Sequence, residues 1–470
     1  MNRNELDKRL VKVVPSKRQL DHQSLEFYSF IHFTVNTYTG KEWGDGTEEE
    51  SIVNPEKFDA FQWVNTIKAA GMKGLILTCK HHDGFCLWPS RYTEHTIAKS
   101  PYKNGKGDLV KEVSKACKEA GIRFGVYLSP WDRNNTAYGS GKAYDDYFID
   151  QLTELLSNYG EVFSVWFDGA CGEGKDGKKQ VYDWQRYYEV IRKLQPGACI
   201  NVCGPDIRWC GNEAGDTRPA EWSVVPKRTS ETEKIASDSQ QADDVEFRER
   251  KVKASDQDLG SREILENEEE LIWYPAEVNT SIRPGWFYHE EEDGQVRSLE
   301  ELLHIYYNSV GGNATFLLNI PPTREGLFHE NDVKRLNEIG AYLKAVFAKN
   351  LLEEAEISVD NFARGYDIEQ VREDSYEGFF KTEDGTREAE ISITFTRPTK
   401  ITHLVLKENI QLSQRIESFE MLSGDGNLLY QGNTVGYKKI VKIPETVTES
   451  LKIHIKDARI CPTLSFIGVY

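Results

Sequence analysis

A short apolar run, Phe163-Ser164-Val165-Trp166-Phe167, ends in Asp168 and is followed at once by Gly169 and Ala170. Such a run reads as a buried strand that delivers a carboxylate to the floor of a pocket, although an Asp at a strand end also serves to cap a loop or the next helix. Other strand-like runs in the first two-thirds of the chain end in the same manner. His32 closes the first, and the loop beyond it carries Glu42-Trp43-Gly44; His81-His82-Asp83-Gly84-Phe85 and then Trp88 follow the second. Tyr127, Trp131 and Asp132 follow the third, and later segments supply Glu213, Trp222, Arg283 and Trp286. Aromatic faces mixed with carboxylate, imidazole and carboxamide tips suit a sugar, whose C–H faces pack on rings while its hydroxyls take directional hydrogen bonds. The Gly-rich turns and cations of a phosphate cradle are missing.

Two of these groups carry other readings. His81-His82-Asp83 is a candidate metal site, but adjacent histidines on a strand point to opposite sides, and the HExxH spacing of a hydrolytic zinc site is absent. Hydrogen-bonding histidines are the preferred reading, with no metal. Trp43, Trp88, Trp131 and Trp286 serve either as core residues or as sugar platforms.

These groups must be brought together by the elements before them. Strand-like and helix-like runs alternate: Glu26 to Phe33 with a helix around Asp59 to Ala70, Gly74 to Lys80 with Asp108 to Ala120, Arg123 to Ser129 with Ala143 to Asn158, and Ser164 to Asp168 with Tyr182 to Leu194, before Ala198 to Cys203. Glycine follows the helices at Gly71, Gly121 and Gly160, the position where a left-handed residue closes a helix. Thr229 to Glu270 is polar and reads as a long surface excursion. Regularity returns with Gly285 to Tyr288, a helix over Leu299 to Val310, a strand over Ala314 to Ile320 and a helix over Glu330 to Phe347. The pattern predicts an α/β fold, a (β/α)₈-like barrel over residues 1–350 with its chemistry at the C-terminal ends of the strands. From Ile357 the chain alternates as strands, at 390–396, 401–406, 450–455 and 464–470, which predicts an all-β C-terminal sandwich, galactose-binding-like or jelly-roll, over residues 351–470. Such a domain either buttresses the barrel or binds glycans.

The chain has 470 residues, enough for two cores, and a net charge of -18 that argues against nucleic-acid binding and leaves neutral substrates as the better fit. No window reaches the roughly 18 apolar residues of a membrane span, and the N-terminus is charged where a signal peptide would be apolar. Localisation stays open between the cytoplasm and export of a form from which a signal peptide has been removed. The eight cysteines show no CxxC pair and read as reduced, packed thiols. Oligomeric state is not legible.

Six blocks, taken in order, resemble the α-L-fucosidases of glycoside hydrolase family 29. They are His32 with Glu42-Trp43-Gly44, Lys80 to Phe85, Tyr127-Leu128-Ser129-Pro130, Trp166-Phe167-Asp168-Gly169, Gly204 to Trp209 with Gly211-Asn212-Glu213, and Ser281 to Tyr288. The Gly-Asn-Glu and Ser-Ile-Arg-Pro-Gly-Trp blocks are most similar to the subgroup that cleaves α-1,3/1,4-linked fucose from Lewis-type glycans. The resemblance implies a barrel followed by a sandwich, no cofactor, and a retaining exo-mechanism with Asp168 as nucleophile. It implies Glu213 as acid/base, with Glu221 and Glu277 as alternatives, and His32, Glu42, Trp43, His81, His82 and Tyr127 around the fucose with Trp286 on its methyl face. Arg283 is counted with the substrate-binding residues, and Trp131 and Asp132 are candidates for the neighbouring sugar. The insertion between Val225 and Glu270 departs from the pattern and bears on linkage. Two other readings stand beside this one: a catalytically idle glycan-binding protein, and a fucosidase of broader linkage specificity.

Overall fold

The computed structural model describes residues 2–240, 245–252 and 256–470. Eight strands form one sheet: β1 (Phe27–Ile31), β2 (Gly74–Lys80), β3 (Arg123–Leu128), β4 (Ser164–Phe167), β5 (Cys199–Val202), β6 (Arg208–Trp209), β7 (Ala276–Ser281) and β8 (Ala314–Asn319). Their spatial order is β5-β4-β3-β2-β1-β8-β7-β6, every pairing is parallel, and a parallel bridge from Asn201 to Ile207 brings the two edges together into a nearly closed barrel. Because parallel strands need crossovers, helices cover the outside and both faces of each strand are buried. β2 is buried along all seven residues, and its sequence is apolar except for Thr78 and Lys80.

The helices start and stop where the side chains dictate. Asp59 accepts the Phe61 N–H ahead of Ala60–Ala69, and Asp108 accepts the Lys111 N–H ahead of Leu109–Ala120. The second helix ends on Gly121 at φ 72°, a left-handed conformation that costs glycine little, and β3 begins two residues later.

Two strands went unassigned in the sequence, and both are short or polar. β6 has two residues, and β7 reads Ala-Glu-Val-Asn-Thr-Ser yet is buried throughout, because its polar side chains point into a hydrogen-bonded barrel interior rather than into solvent. The segment expected as a surface excursion forms the short helices Thr232–Asp238, Val245–Glu249 and Arg262–Leu265, and an antiparallel ribbon of Val224–Pro226 with Leu271–Trp273 brackets it. It does more than cover the surface, since the end of Thr232–Asp238 reaches the pocket described below.

The last barrel helix is Glu330–Val346, and from Ala355 onward the chain is an antiparallel β-sandwich. Two 20-residue strands, Ala389–Glu408 and Lys439–Ala458, run side by side and change register between Thr394 and Thr399, so that each serves more than one part of the sheet. Its core is its own, built on residues such as Ile391, Ile393, Phe419 and Ile453. Val405 and Ile440, however, pack into the barrel's core. The buried Glu26 at the start of β1 accepts from Tyr437 Oη at 3.0 Å and Lys438 Nζ at 2.9 Å, and Asn313 Oδ1 takes the Tyr437 N–H at 2.7 Å. The sandwich therefore buttresses the barrel. All eight cysteines are free thiols. Among the described residues no helix is long and apolar enough to cross a membrane.

Candidate active site

A pocket opens at the C-terminal ends of the barrel strands, enclosing about 530 Å³ with its mouth included, within the range of small-ligand sites. Asp168 follows β4 directly. Strand alternation puts it on the same face as Trp166, and both line the pocket. Its Oδ2 accepts from Tyr127 Oη at 3.0 Å and its Oδ1 from the Ala170 N–H at 2.8 Å, while 23% of the side chain stays exposed to the cavity. Burial pushes this carboxyl above its ordinary range, and the Ala170, Tyr127 and Gly169 donors oppose the rise by favouring the ionised form. A residue larger than glycine does not fit at 169: a Cβ there would lie 1.9 Å from Ser239 Oγ, so the close approach of the chain after Thr232–Asp238 to the Asp168 loop depends on it.

Glu213 lines the same pocket from the loop after β6, where Asn212 Oδ1 accepts the Ala214 and Asp216 N–H groups and fixes the turn. Its Oε2 accepts from Trp286 Nε1 at 3.0 Å. Burial pushes its carboxyl up to about 7; the charges of Asp168 and Glu42 add to the rise, and the Trp286 bond and Arg248 oppose it. Two carboxyls thus share one cavity in different surroundings. One accepts two good hydrogen bonds beside the opening, and the other is desolvated beside a second negative charge. Unlike surroundings of this kind are what set two carboxyls in one site apart in proton affinity.

Three histidines complete the wall, all neutral. Burial lowers His32 to about 4 and His82 to about 3, and it lowers His81 as well, with the neighbouring histidines adding to the effect. Their tautomers follow from what holds them. Asn319 spends its Nδ2 on Ser281 Oγ and the Trp286 carbonyl, so its Oδ1, 2.8 Å from His32 Nδ1, accepts a proton from that nitrogen. Ser129 Oγ donates to the Trp131 carbonyl and therefore accepts from His82 Nδ1 at 2.7 Å. Both rings are left with a bare Nε2, an acceptor for a hydroxyl proton. The Trp286 end of the wall is fixed by Glu42, which takes the backbone N–H groups of Trp286 and Phe287 and His289 Nε2.

Of the residues singled out in the sequence, Asp168, Glu213, His32, His81, His82, Trp43 and Trp286 line the cavity. Tyr127 and Glu42 stand one layer behind, acting on Asp168 and on the Trp286 loop. Several others lie elsewhere. Asp132 does not face a sugar: it is buried against Lys80 Nζ at 2.9 Å, where a second buried charge satisfies it. Trp131 packs on His82 and Trp43 and braces them from outside the pocket. Arg283 is buried and held by Asp332 and Asp293, at 2.9 and 2.8 Å, and touches only a neighbouring cavity. Glu221 is locked between Arg208 and Arg218, at 2.8 and 3.1 Å, which hold its carboxyl ionised despite burial. Glu277 lies under the pocket floor, enclosed by donors. Neither glutamate can deliver a proton to the cavity.

The remaining wall is Phe30, Trp166, Val202, Trp209, Asn279, Ser239 and Gln240. Phe30 and Trp166 stand two residues before His32 and Asp168, so alternation alone could have found them. Trp209 and Asn279, joined by a 2.9 Å hydrogen bond, sit on the two strands with no apolar signature. His81, His82 and Asp168 each offer an atom within 4.8 Å of the others and are the trio, among the described residues, able to hold a cation.

A family model described as alpha-L-fucosidase matches residues 16–346. "Alpha-L-fucosidase 1" of Arabidopsis thaliana is 38% identical over 472 residues, covering 97% of this chain and 87% of that protein. A Ruminococcus gnavus GH29 fucosidase solved in complex with fucose superposes with a TM-score of 0.84 at 32% identity, over 97% of this chain and 95% of that one. A glycoside hydrolase 29 family member from an unknown rumen bacterium gives a TM-score of 0.78 at 37% identity, over 97% of this chain and 77% of that one.

Proposed function

The chain belongs to the glycoside hydrolase family 29 α-L-fucosidases, and from that premise we propose that it is a retaining exo-enzyme acting on α-1,3/1,4-linked fucose of Lewis-type glycans. Asp168 attacks the anomeric carbon while Glu213 gives its proton to the departing glycosidic oxygen. The C–O bond breaks, and a fucosyl ester forms on Asp168. Glu213, now a carboxylate, takes a proton from a water whose oxygen attacks the same carbon; fucose leaves with its configuration retained and Asp168 is freed. His32 and His82 accept from the fucose hydroxyls, and Trp286 packs on the methyl face.

The observation that carries this reading is the pair of unlike carboxyls in one pocket, with Glu213 pushed up to about 7 and Asp168 held by Tyr127 and Ala170. Azide tests it on an activated aryl fucoside. In Asp168→Ala, azide replaces the nucleophile and yields β-fucosyl azide; in Glu213→Ala it attacks the ester and yields the α anomer. The same anomer from both variants, or near wild-type activity in Asp168→Ala, overturns the assignment.

For linkage, support comes from the Gly211-Asn212-Glu213 and Ser281 to Trp286 blocks, which meet at the Trp286–Glu213 hydrogen bond. Beyond that bond lies a second, open cleft of about 1,100 Å³ with its mouth included, with Glu213, Trp286, Arg248 and Gln295 in its wall, roomy enough for further sugars on the leaving-group side. A panel of α-1,2-, α-1,3/1,4- and α-1,6-fucosyl glycans beside an aryl fucoside decides this. Equal rates on all linkages would leave a fucosidase of broader specificity.

A further inference from the structure

Beneath the pocket floor lies a buried carboxylate that the reaction itself does not use. Glu277 is 1% exposed and sits on β7 inside the barrel. Its Oε1 accepts from Trp166 Nε1 at 2.7 Å, and its Oε2 accepts from Asn201 Nδ2 at 2.7 Å and from Tyr28 Oη. Among the described residues no cation is bonded to it. Asn201 Oδ1 in turn accepts from Ser164 Oγ at 2.9 Å. In this arrangement all three partners donate to the carboxyl, and although burial raises it, the Tyr28, Trp166 and Asn201 hydrogen bonds oppose the rise by favouring the ionised, acceptor-only form. An anion placed without a counter-ion in a barrel interior is costly unless each lone pair has a fixed task.

The task is visible in what Trp166 touches. Its indole lines the pocket and stacks on the Tyr127 ring, with centroids 5.4 Å apart and planes 26° apart. It also leans on Phe30 at 5.0 Å. Tyr127 Oη is the donor to Asp168 Oδ2. The line from Glu277 to the nucleophile runs through one hydrogen bond, one ring stack and a second hydrogen bond. On the reading of Asp168 as nucleophile, we propose that Glu277 is a positioning residue, anchoring Trp166 so that Tyr127 keeps Asp168 aimed and ionised.

Glu277→Gln tests this selectively. A carboxamide has one acceptor oxygen for three donors. It keeps that oxygen toward Tyr28 and Asn201, which are two, and turns its NH₂ toward Trp166 Nε1–H, where donor meets donor. The expected result is a loss in kcat/KM on the order of 10- to 100-fold, the scale set by small misplacements of reacting groups. The loss should be equal on an activated aryl fucoside and on a fucosylated oligosaccharide, unlike a lost acid/base, which a good leaving group forgives.

The acid limb of the pH profile supplies the readout that a general loss of stability would not move. The Tyr127 bond holds the Asp168 pKa down, so loosening it raises that limb. Trp166→Phe should raise it too, and adding Glu277→Gln to Trp166→Phe should cost less than about threefold more, because the shared route is already cut. If Glu277→Gln is insoluble, Trp166→Phe alone decides, and an unmoved acid limb overturns the proposal. So does wild-type kcat/KM in Glu277→Gln, or a double variant whose losses multiply in full. Asp168→Ala is run alongside: if it is active, the nucleophile reading falls, whereas if it is dead while Glu277→Gln is unimpaired, only the positioning role falls.

Discussion

Trp286→Phe should widen the active pH range on its alkaline side, a direction that a merely damaged site would not give. Trp286 Nε1 donates to Glu213 Oε2 at 3.0 Å, and that bond is one of the two influences opposing the rise of the Glu213 carboxyl to about 7. Phenylalanine keeps an aromatic ring in the wall, smaller than the indole, and removes the N–H. A hydrogen bond to an ionised acceptor contributes ~1.5–3 kcal/mol and one to a neutral acceptor ~0.5–1.5 kcal/mol, so its loss favours the protonated acid by about 1–1.5 kcal/mol. At ~1.36 kcal/mol per unit, the Glu213 pKa should rise by about one unit. On the proposed role of Glu213 as the acid, the protonated form is the active one, so the basic limb of kcat/KM moves upward by the same amount, toward ~8. The assay is kcat/KM against pH on a fucosylated oligosaccharide, whose poor leaving group keeps proton donation rate-determining. A basic limb that stays put or moves down would refute both the role of Glu213 and the sense of the hydrogen bond.

Other consequences can be checked separately. Asp132→Asn breaks the buried pair with Lys80, both side chains being at most 1% exposed, and should cost ~3–5 kcal/mol in urea unfolding; a loss under about 1 kcal/mol would refute that role for the pair. Gly169→Ala should lower kcat/KM by about 10²-fold with the fold intact, and Ser239→Gly, which removes the atoms nearest the new methyl, should restore much of it. Burial alone would raise the Glu26 carboxyl, but Lys438, Lys407 and Lys73 outweigh it and hold it far below the ordinary range. Its contribution to stability is therefore present above pH ~4.5 and lost as pH falls below that, and Glu26→Gln should flatten the acid side of the stability profile. Prolonged EDTA treatment should leave activity unchanged; a loss restored by added divalent metal would make His81, His82 and Asp168 ligands rather than hydroxyl partners.

What the sequence disclosed followed from how local each signal is. Barrel strands buried on both faces write themselves as apolar runs, and Asp59, Asp108 and Gly121 mark helix ends within one or two residues. The polar strand β7 carried no such mark, because the donors that make Glu277 tolerable come from β1, β4 and β5, between 76 and 249 residues away. The same non-locality decides among Glu213, Glu221 and Glu277, which look alike as glutamates in loosely patterned chain. Two arginines hold Glu221 ionised, and three neutral donors fix Glu277 as an acceptor. Among the described residues, Glu213 alone of the three meets a single donor, Trp286, beside an open cavity and another carboxylate. An acid that must give up and regain a proton in each turnover has to be the least satisfied of the three. On the proposed role of Glu213, the residue with the fewest partners is thus the one the chemistry uses, and the two with full hydrogen-bond shells belong to the framework around it.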